Sequence, residues 1–176
     1  MCPAAAVCPT KWTKINQQED GVEWGARDER HGRWEVASRV CGRKLKLLHR
    51  SGGVGCGENE IHLSNFGCRN HADVSDHVAP HVTKGKGSEL GSEYAIAPYA
   101  GDPKVTAHPS YPSGSWYKLP GFNSMSPYLE FDLPHTNTYY CFEEGTEYHL
   151  WYGEDMVEYT ESNNGGTAYT DIYIMS

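Results

Sequence analysis

Carboxylates crowd the C-terminal end of this chain: Glu143, Glu144, Glu147, Glu154, Asp155, Glu158, Glu161 and Asp171, with the amides Asn163 and Asn164 among them. Oxygens in that number suit a hard cation. Calcium takes six to eight of them from carboxylates, amides and backbone carbonyls. Gly153-Glu-Asp closes one predicted strand and Glu161-Ser-Asn-Asn-Gly-Gly forms the next turn, so Glu154, Asp155, Glu161 and Asn163 are the candidate calcium ligands. The spacing is not that of an EF-hand loop. The alternative is an acidic solvent face that holds no particular ion.

Aromatic side chains form the second group. Trp116, Tyr117, Trp151 and Tyr152 lie in or beside stretches rich in Ser, Gly and Asn. Exposed rings with nearby amides can stack on sugars or on neighbouring chains. Equally, the same rings can fill the core of a domain poor in Leu and Ile. Zinc has weaker support. Cys68-x-x-His71 is one ligand-like pair with no matching second pair.

A nucleophile with a partner is missing. Gly-x-Ser-x-Gly and His-Glu-x-x-His do not occur, and the glycines at 52–57 fit no phosphate-binding motif. Glu154 and Asp155 are adjacent, so on a strand they would face opposite ways and make a poor glycosidic pair. The expectation is a protein that is not an enzyme and requires no cofactor, with calcium the one ion the pattern favours.

These residues sit on a chain of two chemical halves. All 12 tyrosines fall between Tyr94 and Tyr173. Residues 1–86 hold 13 Lys/Arg and 10 Asp/Glu, whereas residues 87–176 hold 2 and 13. So acidic a second half argues against nucleic acid and anionic membranes as partners. No apolar run is long enough to span a bilayer. Six cysteines, none in a Cys-x-x-Cys pair, fit either three disulfides or six reduced thiols. The low mean hydropathy of −0.65 favours disulfides, because a lean core needs cross-links. The apolar run Ala4–Val7 is too short for a secretory h-region, so either the true start lies upstream or the protein is not secreted by that route.

Residues 1–91 read as a Cys/Gly/His-rich, poorly ordered region. Glu35–His49 fits a helix or two short strands, Ser51-Gly-Gly-Val-Gly-Cys-Gly a flexible loop, and residues 69–91 an Ω-loop or linker. From residue 92 the pattern turns to strands. Tyr94–Ala97, Tyr128–Leu133, Thr138–Phe142, Tyr148–Tyr152, Met156–Thr160 and Thr167–Met175 are rich in β-branched and aromatic residues, separated by Pro and Gly turns. Pro98 to Pro127 reads as a run of loops. The expected fold is mainly β, an antiparallel sandwich of jelly-roll type over residues 92–176, with strands from the first half completing its second sheet.

Leu150-Trp-Tyr-Gly-Glu-Asp-Met156, Asn163-Asn-Gly-Gly166 and Thr170-Asp-Ile-Tyr173 resemble segments of secreted proteins from mineralised invertebrate matrices such as shell and coral skeleton. Gly114-Ser-Trp-Tyr-Lys-Leu-Pro and Tyr128-Leu-Glu-Phe extend the resemblance loosely. It implies a secreted, non-catalytic matrix component with mineral, matrix polysaccharide and other matrix proteins as partners. A calcium-assisted, lectin-like binding module is the second reading, and a hydrolase with an unrecognised site the third.

Overall fold

A computed structural model describes residues 11–25, 31–56, 63–69, 74–87, 89–134, 139–157 and 164–176. The strands are β1 (Trp12–Lys14), β2 (Val22–Gly25), β3 (Gly32–Glu35), β4 (Val40–Gly42), β5 (Lys44–Gly55), β6 (Pro80–Lys84) and β7 (Ala95–Ala97), followed by β8 (Thr106–Ala107), β9 (Tyr117–Lys118), β10 (Tyr128–Asp132), β11 (Tyr140–Phe142), β12 (Glu147–Tyr152) and β13 (Gly165–Met175). A five-stranded sheet runs β1-β13-β5-β10, with β2 also paired to β13. A four-stranded sheet runs β3-β12-β6-β7, and β4–β11 and β8–β9 form two small ribbons. All the strand pairs are antiparallel.

The alternation in β10 explains its place. Leu129 and Phe131 lie opposite Leu47 and Leu45, all four buried, while Glu130 lies opposite Lys46 on the outer face. Ile172 and Ile174 of β13 extend the same inner layer. Trp24 of this sheet meets Tyr152 of the other, ring centroids 6.3 Å apart, and Tyr148 and Leu150 are buried beside them. Burial of each such side chain contributes roughly 1.5–3 kcal/mol. The two sheets thus share one core, an antiparallel β-sandwich.

Strands β1–β3, β5 and β6 of the first half are built into the two sheets, so the described strands on either side of residue 91 share them. Glu35–His49 holds strands rather than a helix. The glycine run at 51–55 is the end of β5 rather than a flexible loop. Its glycines let β13 approach: a Cβ on Gly52, at φ +70°, would meet the Thr167 carbonyl oxygen at 2.2 Å. Where the linker was expected, β6 pairs with β12 and the Gly67–Val78 bridge tethers the preceding loop. In the second half, Met156 ends a 3-10 turn, Gly153–Met156, instead of opening a strand. Residues 158–160 of that expected strand lie outside the described residues.

Among the described residues there are two disulfides. Cys41–Cys141 joins directly opposed residues of β4 and β11, and Cys56–Cys68 closes a 12-residue separation. No helix among the described residues is long and apolar enough to cross a membrane.

Candidate functional site: a loop-walled cleft

The loops from Pro98 to Pro127 stand over one edge of the four-stranded sheet. They are ordered by short local bonds. Asp102 N–H donates to the Tyr99 carbonyl at 3.1 Å, and Val105 N–H to the Asp102 carbonyl at 3.2 Å. The Asp102 carboxylate in turn accepts the Lys104 N–H at 3.0 Å. An aspartate that caps its own turn in this way is held in one orientation. The β8–β9 ribbon brings back Trp116 and Tyr117, and the Tyr117 hydroxyl donates to the Pro80 carbonyl. His81 lies edge-on to Tyr117, with its Nε2 3.4 Å from the Ser115 carbonyl oxygen. Burial pulls the imidazole down to about 4.

Between these walls is a cleft of about 260 Å³. Its floor is His81 and Tyr117, and its rim includes Pro98, Tyr99, Asp102, Ser113 and Gly114. Tyr99 offers a half-buried ring, the buried residue Asp102 a carboxylate, and Ser113 an exposed hydroxyl. Burial, with Asp102 and Asp132 in range, pushes the Tyr99 phenol up, so it remains a neutral donor. The mixture of an aromatic face, a fixed carboxylate, a hydroxyl and backbone groups suits a small ligand with both hydroxyls and an apolar face.

A second hollow of about 160 Å³ adjoins it and also uses Asp102. Lys44, Lys104, Glu130 and Asp132 supply its polar atoms and Phe122 its half-buried ring. Lys104 Nζ lies 2.5 Å from Asp132 Oδ2, and this bond raises the Lys104 pKa. A third, open depression of about 360 Å³ lies elsewhere, beside Asp20, Arg50, Ser51 and Tyr169.

The aromatic residues singled out from the sequence are not surface platforms. Trp116, Tyr117, Trp151 and Tyr152 are all at most 3% exposed. The reason is the shortage of large aliphatic residues, which leaves the rings to fill the interior. Their polar ends hold the loops. Trp116 Nε1 donates to Glu154 Oε1 at 2.8 Å, Trp151 Nε1 to Thr83 Oγ1 at 3.0 Å, and the Tyr152 hydroxyl to the Gly67 carbonyl at 3.0 Å. His31 stacks on Trp151 at 4.1 Å. Only Tyr117 touches the cleft, as its floor.

Of the four calcium candidates, Glu154 is buried, with Oε1 engaged by Trp116, and Asp155 is half-buried beside it. Glu161 and Asn163 lie outside the described residues. Among the described residues no three His, Cys, Asp or Glu side chains gather as a metal site. Of the zinc pair, Cys68 is in a disulfide and is not available as a thiolate. Sequence reasoning passed over Tyr99, Asp102, Lys104 and Phe122. The available signal was the length of the Pro98–Pro127 loop, since long ordered loops on a rigid scaffold commonly carry binding residues.

No protein-family profile matches the chain, and no curated protein is similar to it in sequence. Among solved structures, the chain is similar to AJLec, a lectin from the sea anemone Anthopleura japonica. The TM-score is 0.75 and the identity 24%, over 93% of this chain and 95% of that one. A likeness at that identity establishes the shared fold, the antiparallel β-sandwich described above.

Proposed function

We propose that this protein is a secreted, non-catalytic carbohydrate-binding protein, with the cleft between Tyr99 and Ser113 as its sugar site. The observation that carries this reading is the fold, shared with a lectin over nearly the full length of both chains. The cleft supports it chemically. The C–H face of a pyranose packs on the Tyr99 ring, while its hydroxyls meet the Asp102 carboxylate, the Ser113 hydroxyl and the backbone at Gly114. Two disulfides support an oxidising compartment, hence secretion. Retention on a matrix polysaccharide, as the resemblance to mineralised-matrix proteins implies, would be the same binding put to structural use. Calcium would enter through Glu154 and Asp155, whose buried and half-buried carboxylates border the loop that carries Trp116.

A glycan array, run with and without chelator and competed with free sugar, tests the proposal. Binding to a defined set of glycans is expected, with a loss of at least about tenfold in Tyr99→Ala and Asp102→Asn. Asparagine keeps an acceptor for the Lys104 amide, so the Asp102 variant should retain its melting temperature. If the array stays blank, or Tyr99→Ala binds as the parent does, the site is wrong. A melting temperature that does not move in millimolar Ca²⁺ would remove the calcium part alone.

A further inference from the structure

We infer that the two hollows meeting at Asp102 are adjacent subsites of one groove, and that the groove takes a neutral oligosaccharide of at least two units in preference to a monosaccharide. This rests on the carbohydrate reading above. Asp102 lines both hollows, and its tie to the Lys104 amide makes it a fixed ridge between them. Each hollow has its own half-buried ring: Tyr99 on one side, Phe122 on the other. Phe122 is itself held in place, edge-on to Tyr128 at 5.7 Å, with its N–H on the Leu119 carbonyl at 3.0 Å.

Each hollow thus offers an aromatic ring, and the Asp102 carboxylate lines both. Asp102 and Asp132 both raise the Tyr99 pKa, and Lys104 lowers it, so the two hollows lie within one another's electrostatic reach. Size points the same way. Well-formed small-molecule sites occupy about 300–1,000 Å³. Neither hollow alone, at about 260 and 160 Å³, reaches that range, whereas the pair does.

The second hollow also selects against strong charge. Lys44 and Lys104 face Asp102, Glu130 and Asp132, so donors and acceptors are both at hand and neither sign dominates. Hydroxyl groups, which donate and accept, use such a wall better than a sulfate or an ammonium does.

Calorimetry on the full chain with glucose and cellobiose, galactose and galactobiose, and N-acetylglucosamine and chitobiose tests this. For whichever sugar binds, the disaccharide should bind about tenfold or more tighter than its monosaccharide. Phe122→Ala and Lys104→Ala should each bring the disaccharide down to the level of the monosaccharide, leaving monosaccharide affinity within about twofold. Lys104 is 62% exposed, so its replacement leaves the fold intact even if Phe122→Ala does not. Equal affinity for the two lengths, or equal weakening of both by Lys104→Ala, would overturn the two-subsite groove while leaving the carbohydrate reading standing. No heat with any sugar, of either length, would overturn both.

Discussion

His81 is enclosed at the floor of the cleft, and its imidazole is held down to about 4 by the loss of water around it. In the unfolded chain the same group titrates near 6.5. Below pH 6.5 the unfolded state therefore binds a proton that the folded state refuses. Stability falls as pH drops from about 6.5 to about 4, and the loss attributable to His81 is on the order of 3 kcal/mol once both values are passed. Burial lowers His49 and His149 too, which adds loss of the same sign. Chemical denaturation between pH 7 and pH 4 should show this slope, and it should be shallower in His81→Gln. A stability that rises on acidification would show that the imidazole is charged in place. The aromatic residues teach a second lesson at this scale. Trp116 and Tyr152 meet edge-on at 5.4 Å inside the core, so a ring flanked by Ser and Gly in the sequence need not face solvent.

Among the elements, the β4–β11 ribbon depends most on a covalent bond. It has three residue pairs, and its central pair is the Cys41–Cys141 disulfide, spanning 100 residues of chain. Closing a loop of that length removes much unfolded-chain entropy, about 4.7 kcal/mol in the chain-entropy model and typically 2–4 kcal/mol as measured. Replacing both cysteines by serine should lower the unfolding free energy by about that measured range. Urea titration would register it as a lower midpoint, and an unchanged midpoint would mean the ribbon is held by its packing alone. The strand β5 shows what a β-bulge achieves. Arg50 is the extra residue between Ser51, opposite Tyr169, and His49, opposite Thr170. The bulge aims its guanidinium at the buried Asp171 carboxylate, 3.0 Å away, where Lys14 and Asn16 also converge.

At the scale of the whole molecule, the polarity between the halves is resolved by folding. Lys14 and Arg50 pair with Asp171, Lys46 with Glu130, and Arg39 with Glu143, each joining the basic half to the acidic one. The β-pairing is interleaved in the same way. The strand β13 lies between β5 and the edge shared by β1 and β2, so every described strand it pairs with comes from the first 55 residues. A fragment of residues 92–176 should therefore fail to fold: no cooperative melt by circular dichroism and collapsed amide dispersion by NMR. A sharp melting transition in that fragment would refute the interleaved pairing.

Some of this was legible in the residues alone. The alternation Leu129, Phe131 against Glu130, Asp132 fixes which face of β10 is inward, because side chains on a strand alternate by covalent geometry. Local pattern likewise marked β7, β11, β12 and β13. The glycines of β5 escaped that reading because their role is set by another strand: they leave room for the Thr167 carbonyl, 115 positions further on from Gly52. The site escaped it for the same reason. Tyr99, Asp102, Ser113 and Phe122 carry no shared spacing, and they meet only because β6, β9 and β10 hold the intervening loops against one edge of the sandwich. Periodicity and charge are local quantities and can be read along the chain. Which loops converge, and which rings the core absorbs, depends on contacts between distant segments, and only the folded arrangement of the two sheets decides them.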